Sequence, residues 1–143
     1  MNPASRRSLL DMARDAAANA YCKYSGFAVG AAVRSVGGRV FVGCNVENAS
    51  YGLTSCAERN AIFAMIAAGE REIAEIVVYT PTDQPTAPCG ACRQVIWEFG
   101  RDAVVVMACD GAPEREQSIR ELLPDAFGAD NLSPGEPEPA RPR

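Results

Sequence analysis

The segments CAERN (residues 56–60) and PCGACRQ (residues 88–94) decide the fold, because each places cysteines where a helix is predicted to begin. Apolar periodicity predicts these helices over residues 56–68 and about 90–99. Between them, residues 73–80 form a β-rich run, continuously apolar over Ile76–Tyr79, of the kind found in strands that are covered on both faces. The two segments therefore frame a helix–strand–helix unit with a buried strand.

Further elements extend this unit in both directions along the chain. They are a helix over 5–20, strands over 28–36 and 39–46, a strand over 103–109 and a short helix over 118–123. Gly37-Gly38 is a favoured pair for the tight turn between the first two strands. The alternation of helices and strands predicts an α/β fold, with a central sheet and helices on both faces.

The length of 143 residues and 48% apolar content suit a single domain with one core. We assign that domain to residues 1–132. The last eleven residues, 133–143, include four prolines and no large apolar side chain. We expect this tail to be disordered.

Three cysteines of the two segments, Cys56, Cys89 and Cys92, predict a zinc site. A helix N-terminus favours the thiolate, which is the form that binds zinc. The two-residue gap between Cys89 and Cys92 lets both sulfurs reach one ion, and Cys56 supplies a third ligand. Three protein ligands leave one tetrahedral position open for water, which is typical of catalytic rather than structural zinc sites.

Glu58 and Arg59 follow the first of these cysteines closely enough to serve the metal site without binding the ion. Glu58 is a candidate general acid and base for a metal-bound water, the alternative being a solvated helix residue. Arg59 is a candidate donor to the cysteine sulfurs, which would offset the excess negative charge of three thiolates on Zn²⁺. Its alternative is an ordinary surface charge.

The composition excludes several classes of function. The chain has no histidine, which rules out Ser-His-Asp triads, Cys-His proteases and His-Glu-x-x-His metallohydrolases. Its net charge of −4 and scattered basic residues argue against nucleic-acid binding. No apolar stretch is long enough for a membrane helix, and no secretory signal is visible. We expect a cytoplasmic protein with reduced cysteines rather than disulfides.

The chain resembles the small homotetrameric, zinc-dependent cytidine deaminases. The resemblance spans nearly all of residues 5–132 and includes YSGFAVGAA (24–32), GCNVENASYG (43–52) and ELLPDAF (121–127), besides the two cysteine segments. It implies a three-layer α/β/α sandwich around a mixed sheet. It also implies hydrolytic deamination of cytidine and 2′-deoxycytidine in pyrimidine salvage, by a homotetramer with shared active sites.

The resemblance also assigns substrate contacts. Phe27 matches the family's base-stacking aromatic, although a core phenylalanine is an equal alternative on sequence alone. Asn45 and Glu47 match the sugar-binding pair. Their alternation at a strand end lets both side chains point the same way, and the alternative is two surface polar residues. Backbone groups near Ala57 and Cys89 match contacts to the base edge or the 4-amino group.

Two further positions bear on the assembly and the pocket. Phe127 matches an aromatic that reaches into a neighbouring subunit's pocket. Lys23, after Cys22, departs from the proline that is common in the family before Tyr-Ser, and this departure leaves the fine substrate preference open.

Other functions remain as alternatives. A deaminase of a modified nucleoside such as blasticidin S would share the zinc core, whereas Asn45 and Glu47 favour an ordinary ribose. A structural zinc or thiol-redox module would need a fourth ligand or a reversible disulfide. An editor of RNA or DNA is disfavoured by the charge. We interpret the remaining cysteines, Cys22, Cys44 and Cys109, as small buried residues.

Overall fold

The computed structural model describes residues 3–132 and contains one five-stranded mixed sheet. The elements, in chain order, are α1 (Pro3–Ala17), β1 (Gly30–Ser35), β2 (Val40–Cys44), α2 (Ala57–Ala67), β3 (Ile73–Tyr79), α3 (Gly90–Phe99), β4 (Val104–Ala108), β5 (Arg115–Ser118) and α4 (Ile119–Leu122). The strand order is β2-β1-β3-β4-β5. Only β3 and β4 are parallel neighbours; the other pairs are antiparallel.

Helices cover both faces of the sheet, which confirms the predicted three-layer α/β/α architecture. Strand β3 divides its side chains between the two cores. Val77 and Tyr79 pack with Leu9 and Ala13 of α1, whereas Ile76 and Val78 pack with residues of α2, α3 and α4. This alternation of one buried strand between two apolar layers explains why its sequence is apolar except at Glu75.

Glycines allow the helices to approach the sheet closely. A Cβ on Gly43 of β2 would lie 2.5 Å from the Ala61 nitrogen and 2.6 Å from the Ala57 oxygen of α2. A Cβ on Gly30 of β1 would lie 1.9 Å from the Ala13 oxygen of α1. The N-terminal turn of α2, which carries the candidate site, therefore sits directly on the backbone of β2.

Several element boundaries differ from the sequence prediction. Helix α1 ends at Ala17 rather than at residue 20, and the first two strands are shorter than predicted. The turn between them is confirmed, with Gly38 at φ +94° and the Ser35 N–H donating to the Arg39 oxygen at 2.9 Å. Gly69, at φ +96°, follows the end of α2, the position where glycine commonly terminates a helix.

Strand β5 was not predicted. Its sequence REQS is polar and largely exposed, so it has no apolar alternation to signal a strand. It forms because its backbone pairs with the edge of β4. Ser118 then caps α4 through a capping box with Glu121.

Two other expectations concern the C-terminal segment and membrane-spanning helices. The segment 133–143, expected to be disordered, lies outside the described residues. Within residues 3–132, no helix has the length and apolar character needed to cross a bilayer.

Candidate metal centre and substrate pocket

Two helix N-termini bring the three predicted ligands together. Cys56 is the N-cap residue of α2 and Cys89 is that of α3, both with extended backbone, and Cys92 lies in the first turn of α3. The three Sγ atoms lie within 4.8 Å of one another. Cys92 is buried, Cys56 is half-buried and Cys89 is exposed, so the cluster opens to one side.

The geometry of this cluster fits a zinc ion. Zn–S bonds of about 2.3 Å at tetrahedral angles separate two sulfurs by about 3.8 Å. The Cys56 and Cys89 Sγ atoms are 3.8 Å apart. Three thiolate ligands suit Zn²⁺, and none of the other cysteines joins the group among the described residues. The cluster therefore has the ligand type and spacing of an open zinc site.

Hydrogen bonds shift the acidities of the thiols in this cluster. A bond with Cys92, followed in importance by one from Arg59, lowers the pKa of Cys56 to about 5. The same bond with Cys56, together with burial, raises the pKa of Cys92. Cys56 is thus more readily ionised than Cys92, as its place at a helix N-terminus favours.

Arg59 contacts the cluster from the first turn of α2. Its Nη2 donates to Cys56 Sγ at 3.2 Å, and this bond is the main reason why the pKa of Arg59 is raised above its already high value. The guanidinium therefore stays charged beside the thiolates. Such a donor withdraws negative charge from the sulfur and leaves a bound cation more electrophilic.

Glu58 lies in the same helical turn and is almost completely buried, with 4% of the residue exposed. It lines the pocket beside the thiols. Burial raises the pKa of its carboxyl group, which favours the protonated form. A solvated helix residue, the alternative interpretation, would be exposed.

Asn60 completes this turn and was not given a role from the sequence. Its Nδ2 donates to the Cys44 oxygen at 2.8 Å, and its Oδ1 accepts from Ser55 Oγ at 2.7 Å. It thereby ties the start of α2 to the end of β2. The available signal was an amide in the first turn of a helix, directly after the charged pair Glu58-Arg59.

A cavity of about 260 Å³ opens next to the cluster. Four parts of the chain line it: the loop before β1, the end of β2, the start of α2, and β3 with the loop that leads to α3. The lining residues are Ser25, Phe27, Val29, Asn45, Glu47, Thr54, Cys56, Ala57, Glu58, Val78, Thr86, Ala87 and Cys89. The volume and the mixed lining suit a small polar molecule with an apolar ring.

Comparison with known proteins identifies the family. A family model described as "Cytidine and deoxycytidylate deaminase zinc-binding region" matches residues 3–108. The chain belongs to this family. It is 43% identical to the cytidine deaminase of Halalkalibacterium halodurans over 129 residues, which covers 90% of this chain and 98% of that protein.

Solved and curated relatives support the assignment. The crystal structure of cytidine deaminase from Burkholderia pseudomallei superposes with a TM-score of 0.82 at 48% identity, covering 89% of this chain and all of that one. The cytidine deaminase of Mycobacterium tuberculosis (strain H37Rv) is 44% identical over 120 residues, or 84% of this chain and 87% of that protein. The zinc-binding character of the family agrees with the thiol cluster.

The predicted sugar-binding pair lies in the pocket and also holds one of its walls. Asn45 is buried; its Oδ1 accepts from the Val29 N–H at 2.9 Å and its Nδ2 donates to the Phe27 oxygen at 2.8 Å. Glu47 Oε1 accepts from the backbone N–H groups of Tyr24 and Ser25, both at 3.0 Å. These bonds fix the loop that carries Phe27.

Ser25, which the sequence did not single out, connects Glu47 to Phe27. Its hydroxyl donates to Glu47 Oε2 and accepts from the Phe27 N–H at 3.0 Å. The Ser25 hydroxyl, and then the backbone amides of Ser25 and Tyr24, lower the pKa of Glu47. The carboxylate therefore remains charged at neutral pH.

The aromatic residues occupy different places. Phe27 lines the pocket and is 40% exposed, so it is not a core side chain. Ala57 is buried in the pocket wall. Phe127 is 56% exposed and does not line the pocket of its own chain, while its carbonyl oxygen accepts from Gln94 Nε2 at 2.9 Å.

A shallow groove of about 380 Å³ continues from the pocket mouth. Tyr24 and Tyr51 line it and form an edge-to-face pair with ring centroids 6.1 Å apart. Lys23, the only lysine of the chain, places its Nζ 5.9 Å from the centre of the Tyr24 ring. The departure noted at Lys23 therefore lies next to a residue that lines the groove.

The other cysteines differ from expectation in one respect. All six are free thiols. Cys22, Cys44 and Cys109 were predicted to be buried, and this is wrong, because each is half-exposed. They lie in loops or at a strand end, where the core does not enclose the side chain.

Proposed function

We propose that this chain catalyses the zinc-dependent hydrolysis of cytidine and 2′-deoxycytidine to uridine or deoxyuridine and ammonia, in pyrimidine salvage. The observation that carries the proposal is the convergence of three thiols and a buried carboxyl group on one pocket of nucleoside-sized volume. Membership of the family and the names of its relatives support the same activity. Residues 1–132 form the catalytic domain in this proposal.

The proposed mechanism assigns the metal to Cys56, Cys89 and Cys92. The bound zinc supplies the Lewis acidity that makes a water molecule nucleophilic at neutral pH. Arg59 keeps the site electrophilic by donating to Cys56. The exposed side of the cluster, at Cys89, faces the cavity, where substrate and water enter.

Glu58 moves the protons. Its carboxylate accepts a proton from the attacking water and delivers it to N3 of the pyrimidine, while the new C–O bond forms at C4. It then carries the remaining hydroxyl proton to the 4-amino group. The C4–N bond breaks, ammonia leaves and the uracil carbonyl remains. Its burial excludes bulk water from these transfers.

Four residues of the pocket bind the nucleoside: Phe27, Asn45, Glu47 and Ala57. The Phe27 ring provides an exposed face at the pocket on which the base stacks. Glu47 Oε2 and the second N–H of Asn45 Nδ2 each retain bonding capacity after their contacts with the loop, and they pair with a ribose hydroxyl. Backbone groups near Ala57 and Cys89 hold the base edge.

The assembly is also part of the proposal. Phe127 projects from its own chain without entering that chain's pocket, as expected of a side chain that completes the site of a neighbouring subunit. We therefore infer a homotetramer with shared sites. Six free thiols suit the reducing cytoplasm, where we place the protein.

The decisive experiment follows the absorbance of cytidine with purified protein, with the zinc content measured on the same sample. The wild-type protein should convert cytidine and deoxycytidine. It should deaminate cytosine and blasticidin S much more slowly. The matched control is Glu58→Gln, which should keep its zinc and lose about a thousandfold or more in turnover. A protein with full zinc and no turnover would instead be a structural metal module, and near-normal activity of the variant would refute the proton transfers.

A further inference from the structure

A chain of three threonine hydroxyls lies behind one wall of the pocket. Thr80 Oγ1 is 2.7 Å from Thr82 Oγ1 and 3.3 Å from Thr86 Oγ1. Thr82 Oγ1 in turn donates to the Gln84 oxygen at 2.7 Å. Thr80 is completely buried, whereas Thr86 lines the pocket.

The last of these bonds fixes the direction of the whole chain. A hydroxyl has one proton, and a carbonyl oxygen can only accept, so the Thr82 proton is committed to Gln84. Thr80 must then donate to Thr82, and Thr86 must donate to Thr80. The chain runs from Thr86 to Gln84, and Thr80 is the one member that bonds to both other hydroxyls.

This chain spans a segment with few backbone donors. Prolines occupy positions 81, 85 and 88, and none of them has an N–H group. Thr82 is tied to the loop after β4, because its oxygen accepts from the N–H groups of Asp110 and Gly111, both at 3.1 Å. No comparable backbone bond holds Thr86 among those recorded for residues 3–132. The hydroxyl of Thr80 is what connects Thr86 to the end of β3.

The segment held in this way builds the active pocket. Val78, in β3 and two residues before Thr80, lines the cavity, as do Thr86 and Ala87. Cys89, a ligand of the candidate metal centre, follows Ala87 by two residues. A displacement at Thr86 would therefore pass directly to the wall and to the start of α3.

We propose that Thr80 is a positioning residue, whose hydroxyl holds the 82–87 wall of the pocket through Thr82 and Thr86. The effect on substrate binding rests on the proposed deaminase function, whereas the effect on the wall does not. Thr80 touches no reacting atom, so its loss alters the fit of the substrate more than the chemical step.

Thr80→Val tests the proposal, with Thr80→Ser as the matched control. Valine keeps the shape of threonine and removes the hydroxyl, whereas serine keeps the hydroxyl. Hydrogen–deuterium exchange of the amides at 86–90 should be faster in Thr80→Val than in Thr80→Ser and the wild-type protein. With zinc content equal, KM for cytidine should rise roughly fivefold in Thr80→Val, kcat should change less than KM, and Thr80→Ser should restore KM.

The outcomes separate the effect of Thr80 on the pocket wall from its effect on substrate binding. Unchanged exchange at 86–90 in a folded Thr80→Val protein overturns the positioning role. Faster exchange without a change in KM overturns its link to substrate binding, and a wild-type protein with no turnover overturns the proposed function alone. If Thr80→Val does not fold, Thr86→Val is the second variant. It removes the hydroxyl that donates to Thr80, at a half-exposed site, and should raise both the amide exchange at 86–90 and KM.

Discussion

Replacing Asn45 by alanine should weaken both the fold and the binding of the base, because Asn45 holds the loop that carries Phe27. The side chain is 7% exposed and makes two hydrogen bonds, to Val29 N–H at 2.9 Å and to the Phe27 oxygen at 2.8 Å. Each such bond contributes about 0.5–1.5 kcal/mol, so the loss of both should lower the free energy of unfolding by about 2 kcal/mol. For a chain of this size the melting temperature should fall by about 6 °C.

Free cytosine provides the sharpest assay, because it has no sugar. If Asn45 positions Phe27, the inhibition constant of cytosine against cytidine turnover should rise by roughly tenfold, besides the rise in KM for cytidine. Asn45→Asp is the matched control, since it keeps the acceptor for Val29 and loses the donor to Phe27. We expect its melting temperature to lie at or below that of Asn45→Ala, because a buried carboxylate oxygen would face the Phe27 oxygen without a donor between them.

A contact made only with the ribose would give a different result. In that case Asn45→Ala would raise KM for cytidine and leave both the melting temperature and the inhibition by cytosine unchanged. That pattern would refute the argument from the two backbone hydrogen bonds.

Further predictions concern the metal centre, the packing, the assembly and the pH range. Arg59→Gln should lose about tenfold in kcat or in zinc affinity, measured by turnover and by competition with a chelator, and no change in either would contradict its role beside Cys56. Gly43→Ala should lower the free energy of unfolding by about 2 kcal/mol in denaturant, because its Cβ would meet α2, whereas Gly52→Ala, with open space around the Cβ, should be close to wild type. Phe127→Ala should raise KM in the assembled protein, and a monomer with wild-type kinetics would refute the shared site. The ratio of KM for cytidine to the inhibition constant of free cytosine should stay flat as pH falls from 8 to 5, because the lowered pKa of Glu47 keeps its contacts until pH drops below its usual value of 4.5, whereas Glu58 and the thiols act on both ligands; a rise in this ratio above pH 5 would contradict this.

Local sequence signals predicted the parts of the site that depend on spacing along one helix. Cys89 and Cys92 share a helical turn, and Cys56 opens a helix, so their chemistry was visible before any tertiary contact was known. The buried strand β3 was equally clear, because four apolar residues, Ile76 to Tyr79, follow one another in a run rich in β-branched side chains.

Features that depend on distant backbone contacts could not be predicted in the same way. Strand β5 has a polar sequence and exists because β4 offers it an edge. Asn45 also holds the loop that carries Phe27, and it does so through backbone groups 16 to 18 residues away in the sequence. The hydroxyl chain through Thr80 depends on how a proline-rich loop folds back, which residue types alone do not specify.

The position of Lys23 has a practical consequence for labelling. It is the only lysine of the sequence, so it is the one side chain in it that an amine-reactive reagent would label. That target lies beside Tyr24, which lines the groove. A small fluorophore attached there would report ligand entry from a single known position. Amine coupling to a sensor surface, by contrast, would turn the pocket mouth toward the surface and obstruct it.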